Sequence, residues 1–487
     1  MNKITYLLTT FALCFYVPTV SGQNPAPATE KPNIVFILAD DLGYGEVGCF
    51  GQELIQTPTI DRLAVEGMKL TEHYSGSPVC ASSRCTLLTG KHTGNAIIRN
   101  NRELGGWGAE EPEGQFPLPT GTPTISSMLQ SNGYATGAFG KWGLGGPQTT
   151  GLPNDHGFDE FYGYICQRVA HNYYPTHLWK NSEKEMLKGN EEWFSAHQKI
   201  ESPVGFEKFS GETYAPDRIL EETISFIDTH AKEPFFVYFA SIIPHVALQI
   251  PDAELDLYPE DWDAEPYLGQ KGYLPHPRPR AAYAAMITRF DNEVASIVEA
   301  LERNGVADNT IVIVTSDNGP SWVGGVDMEF FKSSGGLRGR KAQLFEGGIK
   351  VPTVVWWPGK VHASTTNDSP SAFWDWYPTL ASIAGAKPVE SDGVSLVPVL
   401  QGKDLQTRGL YWEHGKVQAF RDGDWKLLRA NNKDGIEVEL FNLASDPNET
   451  TNLASFKPEL VDKLTKAAMA SRTKSSEFQS FLDKDTE

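Results

Sequence analysis

In the stretch SPVCASSRCTLLTG, residues 77–90, a cysteine stands where a helix would begin. Gly90 closes a helix-like run from about Ala81, leaving Cys80 at its amino end, where unpaired N–H groups and the helix dipole favour negative charge. Arg84 follows four residues on, a spacing that stacks two side chains on one helical face. Dipole and guanidinium together favour an ionised or oxyanionic group at position 80, the chemistry of a nucleophile. Cys85 is a poor disulfide partner, because five helical residues rise about 7.5 Å, past the roughly 7 Å between Cα atoms that a bridge spans. A buried, inert thiol is the bland alternative.

A second set of polar residues collects where apolar runs end. NIVFILA ends in Asp40 and Asp41, ATGAFG in Lys141, FFVYFASIIP in His245, and TIVIVTS in Asp317 and Asn318. Any one of these reads equally well as a solvated strand end or an N-cap. In an open α/β sheet, however, ligands bind beyond the carboxyl ends of the strands. Three carboxylates and an amide gathered at that edge would repel one another unless a cation sat among them. Oxygen donors select a hard ion, and a mixed acid and amide shell suits the loose geometry of Ca2+ better than Mg2+.

Positioning these residues requires a particular set of elements. Continuous apolar runs alternate with helix-like patterns, Ile60, Leu63 and Ala64 before Gly67 among them, and a long helical segment covers residues 281–302. Strands buried on both faces imply an α/β fold with a large mixed, mostly parallel sheet sandwiched by helices. The texture changes near Gly402. LYWEHG, QAFRDGDWKLLRA and GIEVELFNLASDP alternate as antiparallel strands do, with a turn at Asp422-Gly423. A helix over residues 458–469 would pack on that sheet through Leu460, Val461 and Leu464, and the tail from Ser471 is polar. The expected division is a signal peptide over 1–22, a flexible leader over 23–32, a catalytic domain over 33–402 and an antiparallel α+β subdomain over 403–487.

With 487 residues, 40% hydrophobic and 11% aromatic, the chain can bury a large core. A formal net charge of -20 without a basic run excludes nucleic acid as a partner. MNKITYLLTTFALCFYVPTVSG has Lys3 at its start, an apolar centre, and Val20 and Gly22 where a signal peptidase would cut. Thr9, Thr10 and Pro18 break that run short of a bilayer span, so a stable membrane anchor is the weaker reading. Export to the periplasm or beyond is expected. Signal removal leaves Cys49, Cys80, Cys85 and Cys166, whose spacing suits neither a disulfide scaffold nor a zinc site. A monomer or simple homodimer is expected.

PNIVFILADDLGYGEVGCFG, CASSRCTLLTGKHTG, GYATGAFGKWGLG, PHVALQIP, VTSDNGP, GRKAQLFEGGIKVPTVVWWPG, WKLLR and ELFNLASDPNETTNLA together resemble the formylglycine-dependent sulfatases of the alkaline-phosphatase-like superfamily, nearly end to end. The resemblance implies that Cys80 is oxidised to formylglycine by a maturase, a transient partner, and that its aldehyde hydrate is the nucleophile. It implies Ca2+ bound by Asp40, Asp41, Asp317 and Asn318 together with residue 80. Arg84 would hold the hydrate, Lys141 and Lys341 would neutralise the sulfate oxygens, and His245 would protonate or hold the departing oxygen. Two positions depart from the family pattern. Ser82 stands where proline or alanine is usual, and Gly143 stands in place of the histidine of Lys-Trp-His-Leu-Gly. His171, from CQRVAHNYYPTHLW, is the residue expected to fill the missing histidine's space.

Substrate choice is expected to lie in loops. Tyr173, Tyr174, Trp179 and Trp322 offer aromatic faces to sugar rings, and Arg99, Arg168 and His414 could bond hydroxyls or further anions. Export and this aromatic supply favour a sulfated glycan over a steroid or small aryl sulfate. A phosphomonoester or phosphonate hydrolase of the same superfamily is the nearest alternative, though Cys80 with Arg84 speaks against it. An inactive glycan-binding relative is a second alternative, suggested by Ser82 and Gly143.

Overall fold

Strand Asn33–Ala39 is buried at every residue, which explains its unbroken apolar sequence. Its side chains alternate between two cores: Val35, Ile37 and Ala39 enter one, Ile34, Phe36 and Leu38 the other. The same alternation runs through Phe235–Ala240, where Val237 and Phe239 oppose Phe236 and Tyr238. The computed structural model describes Met1, residues 31–387 and residues 390–484. The expected signal peptide beyond Met1, and the leader up to residue 30, lie outside the described residues.

The central strands stand in the spatial order Thr310–Ser316, Asn33–Ala39, Phe235–Ala240, Ala135–Lys141, Glu160–Tyr164, and all pair in parallel. Antiparallel strands extend both edges into a ten-stranded sheet, with Thr353–Trp356 beside Thr310–Ser316 and His177–Lys180 beside Glu160–Tyr164. Helices cover both faces, because each presents one apolar stripe to a two-sided sheet. Pro58–Glu66, Ala215–His230 and Pro279–Arg303 pack on the first core, the first of them through Ile60, Leu63 and Ala64. Cys80–Thr89, Ile125–Ser131 and Trp376–Ile383 pack on the second.

The strands Gly409–His414, Val417–Asp422, Trp425–Asn432 and Gly435–Asn442 form an antiparallel meander. Asp422 pairs with Trp425, so Gly423 (φ 59°) and Asp424 form the hairpin tip, one residue later than the Asp422-Gly423 reading. Helix Pro458–Ala470 covers this sheet through Leu464 and Ala468, with Leu460 and Val461 partly buried beside them. Leu410, Trp412, Ala419, Leu428 and Phe441 join Tyr74, Leu344, Ile349 and Trp374 in one apolar cluster, so the meander shares a core with the segments around the large sheet. The polar tail also docks, through buried Phe478 and Leu482. No helix among the described residues is long and apolar enough to cross a membrane.

Candidate active site at the carboxyl edge of the parallel strands

Helix Cys80–Thr89 starts after the extended Val79 and ends at Gly90, whose φ of 67° gives the left-handed C-terminal cap. Asn101 accepts a hydrogen bond from the Ala81 amide through Oδ1 at 2.8 Å, satisfying one of the free donors beside Cys80. The turn leading in must carry glycine at 76, since a Cβ there would lie 1.4 Å from Thr86 Oγ1. All ten helix residues are buried, so the helix is an interior pedestal.

The strand ends converge on it. Cys80 Sγ lies 3.3 Å from Asp40 Oδ1 and 3.9 Å from Asp41 Oδ1. Asp41 adopts φ 69°, which turns its amide onto Asp317 Oδ1 at 3.2 Å. Lys141 Nζ pairs with Asp40 Oδ2 at 2.5 Å and Lys341 Nζ with Asp41 Oδ2 at 2.6 Å. Arg84 donates to Asp317 Oδ2 through Nε at 3.0 Å and Nη2 at 2.8 Å, and to the Lys141 carbonyl through Nη1 at 2.6 Å. Asn318 Nδ2 donates to Asp41 Oδ1 at 2.7 Å, while its Oδ1 is buried without a hydrogen-bond partner. One atom each from Asp40, Asp41, Cys80 and His245 falls within a 4.8 Å cluster.

The electrostatics of this cluster differ from the local reading of Cys80. Arg84 is drawn to Asp317, and burial together with the charges of Asp317 and Asp40 pushes the Cys80 thiol well above its ordinary value. These neighbours favour the protonated thiol, which donates towards Asp40. Burial also opposes ionisation of Asp40, but Lys141, His245, Arg84 and Lys341 outweigh it and hold the carboxyl far below the usual range. Asp317 goes the other way: burial and Asp40 push it up to about 6, against Arg84. Burial and the Lys341 charge push His245 down to about 3, against Asp41 and Asp40. Its Nδ1 donates to the Val246 carbonyl, which can only accept, so the neutral ring turns an unprotonated Nε2 towards Asp41 Oδ2 at 3.6 Å.

Gly143 has φ 76°, and a Cβ there would meet Gln167 Oε1 at 3.2 Å. Gln167 thus borders Gly143; it is 1% exposed, and its Oε1 has no hydrogen-bond partner. His171 stacks on His245, with ring centroids 4.4 Å apart and planes at 11°, and its Nδ1 lies 3.1 Å from His197 Nε2.

The expected substrate residues scatter. Tyr173 is fully buried; its hydroxyl lies 2.8 Å from the Ile242 carbonyl and 2.7 Å from that of His245, so it braces the segment bearing His245 and offers no face to a sugar. Tyr174 and Trp179 are also buried. Arg99 pairs with Glu413 at 2.8 Å and shares with His414 a cavity of about 60 Å³, too small for a sugar ring. Arg168 lies 3.7 Å from Glu103 at the edge of a 270 Å³ pocket. Trp322 lines a cleft of about 920 Å³, with the Arg340 guanidinium 4.6 Å from its ring centroid. Asn101, Gln167, His197, Tyr273 and Arg340 are residues of this region that sequence reasoning missed. Of these, Arg340 alone carried a signal, its position beside Lys341.

The sulfatase family model matches residues 32–386, and a model described as N-sulphoglucosamine sulphohydrolase, C-terminal, matches residues 340–474. The N-acetylgalactosamine-6-sulfatase of Rattus norvegicus is 30% identical over 424 residues, covering 83% of this chain and 72% of that protein. Arylsulfatase A of Bos taurus is 29% identical over 493 residues, covering 90% and 87%. The crystal structure of Ps i-CgsB superposes with a TM-score of 0.73 at 28% identity, over 94% of this chain and 96% of that one, and a complex of it with k-i-k-neocarrahexaose matches equally. The fold is alkaline-phosphatase-like. The chain belongs to the sulfatase family and is a sulfuric ester hydrolase.

Proposed function

We propose that this chain removes sulfate from a sulfated carbohydrate, with formylglycine made from Cys80 as nucleophile and Ca2+ held by Asp40, Asp41, Asp317, Asn318 and residue 80. The observation that carries the reading is the convergence on Cys80 of three carboxylates, three cations and one unbonded buried amide oxygen. Three features fit a hard cation. Asn318 Oδ1 lacks any donor, the carboxyl of Asp317 is pushed up to about 6 by burial and Asp40, and Nε2 of neutral His245 faces Asp41 across 3.6 Å, acceptor against acceptor. Charge counting agrees: Asp40, Asp41 and Asp317 balance Arg84, Lys141 and Lys341, three against three, so a divalent ion leaves two positive charges for anionic substrate and nucleophile.

When bound, Ca2+ supplies positive charge that polarises sulfate oxygens; formylglycine, once hydrated, supplies a hydroxyl nucleophile. The chain's own residues do the rest. Lys141 and Lys341 stay charged despite burial, because Asp40 and Asp41 outweigh it, and so neutralise the sulfate oxygens that would otherwise repel attack. Arg84 holds Asp317 in place beneath the nucleophile. His245, fixed by its bond to Val246, presents Nε2 to take a proton from the nucleophile or pass one to the departing sugar oxygen.

The carbohydrate class rests on the named relatives and on the cleft that Arg340, the chain neighbour of Lys341, helps to line. Trp262, Tyr267 and Trp322 line that cleft, and Arg340 has no carboxylate partner among the described residues. Export to the periplasm or beyond, a maturase as transient partner, and the 33–402 and 403–487 division belong to the same proposal. The test pairs a mass spectrum of the peptide spanning position 80, from natively expressed protein, with sulfate release before and after chelation. Formylglycine at 80, with release lost to chelator and restored by Ca2+ better than by Mg2+, is expected. A retained thiol without release points to a glycan binder, and phosphate release without sulfate release to a phosphoester hydrolase.

A further inference from the structure

Between the cleft and the histidines lies a short loop that the reaction as described does not use. The backbones of Tyr267 and His276 pair through two hydrogen bonds of 2.9 Å, pinching off residues 268–275. Leu274 anchors this loop by packing with Phe209 and Ala247. Tyr273, next to that anchor, has φ 65°, a region that residues with a Cβ avoid. Such strain persists where the surroundings over-determine it, and it concentrates at working sites.

The surroundings here are the site itself. The Tyr273 ring centroid lies 4.3 Å from that of His197, 5.5 Å from His171 and 5.8 Å from His245. Burial pushes its phenol up to about 12, with the Lys341 charge opposing and that of Asp41 adding, so the hydroxyl is a neutral donor. Tyr273 is only half-buried, whereas the buried Tyr173, Tyr214 and Tyr283 spend their hydroxyls on the Ile242 and His245 carbonyls, the Gln249 carbonyl and Glu46. The Tyr273 hydroxyl has no hydrogen-bond partner among the described residues. Tyr267, Gln270 and Lys271 of the same loop line the 920 Å³ cleft with Trp322 and Arg340. The loop thus borders the cleft through Tyr267, Gln270 and Lys271 and the site histidines through Tyr273.

We propose that Tyr273 is a specificity-determining residue, its phenol O–H donating to an oxygen of the sugar that carries the sulfate. This rests on the carbohydrate reading above. A tyrosine that only packed against the histidines would be replaced without loss by phenylalanine, which keeps the ring and lacks the donor. A hydroxyl that reads a sugar oxygen discriminates substrates that have that oxygen from those that do not.

The experiment uses the full, matured chain, wild type and Tyr273→Phe, with a panel of sulfated monosaccharides and carrageenan oligosaccharides and with p-nitrophenyl sulfate, which has no sugar oxygens. The quantity read is the ratio of kcat/KM on the best sugar of the panel to that on the aryl sulfate, taken on one sample so that folded fraction cancels. A fall in that ratio of about tenfold or more is expected, from one lost hydrogen bond in a desolvated site. A ratio within about twofold of wild type, with wild type active on sugars, overturns the assignment of Tyr273 alone. A wild type that cleaves the aryl sulfate and no sugar overturns the carbohydrate reading, and the assignment with it.

Discussion

At the scale of single residues, the site works by compensation. Lys341 is the most exposed of the three cations, at 14% of its side chain, and it sits on Asp41 at 2.6 Å. Its amide donates to the Pro320 carbonyl and that of Ala342 to the Pro78 carbonyl, so its position is tied both to the Asn318 segment and to the segment before Cys80. Replacing Lys341 with alanine removes a charge from the developing sulfate oxygens. A drop in kcat of about 10² to 10³ is expected, the range for losing one preorganised donor. Stopped or steady-state sulfate release on matured protein measures it, and a loss of less than about threefold would remove Lys341 from the catalytic machinery.

At the scale of elements, the loop presenting His245 is braced from two sides. Tyr173 holds the Ile242 and His245 carbonyls, while Ser241 Oγ accepts from the Ile243 amide and donates to Glu293 on helix Pro279–Arg303 at 2.8 Å. Burial pushes the Glu293 carboxyl up to about 8, against the Ser241 hydrogen bond and the Arg289 charge. Between its unfolded value of about 4.5 and that of about 8, the unfolded chain releases this proton while the folded chain keeps it. Stability therefore falls as pH rises through that window, by an amount on the order of a few kcal/mol. Glu293→Gln removes the slope, so the variant should gain on wild type in urea midpoint from about pH 5 to about pH 8. Parallel curves for the two proteins would show that Glu293 is ionised in the fold.

At the scale of the whole molecule, the C-terminal meander helps build the site. Lys426, fully buried on strand Trp425–Asn432, pairs with Glu346 and with Glu449 at 2.8 Å each. Glu346 opens helix Glu346–Ile349, directly after the loop carrying Lys341, and its amide donates to Glu449 at 2.6 Å. Burial opposes ionisation of Glu346, yet Lys426, Lys350 and Arg421 hold its carboxyl down to about 2. Lys426→Met would leave two buried carboxylates facing each other. A loss of about 3–5 kcal/mol in unfolding free energy is expected, together with slower sulfate release from a loosened Lys341 loop. Unchanged denaturant midpoints would show that the meander is an independent appendage.

Much of this was legible along the chain. Strands buried on both faces write their burial as unbroken apolar runs, and the polar residues that terminate those runs lie at the carboxyl edge, so Asp40, Asp41, Lys141, His245, Asp317 and Asn318 could be placed together from sequence. Cys80 at a helix start, closed by Gly90, was equally local. The chain could not determine which side chains meet once those edges close. Arg84 turns to Asp317, 233 residues away, and leaves the thiol protonated. Gln167 borders Gly143 while His171 stacks on His245, Tyr173 disappears into the core, and Tyr273 emerges beside the histidines. Periodicity and turn chemistry act over a few residues, whereas partner choice in a buried polar cluster depends on packing and on charge balance across the whole fold. That balance exists only after the strands, helices and meander have come together.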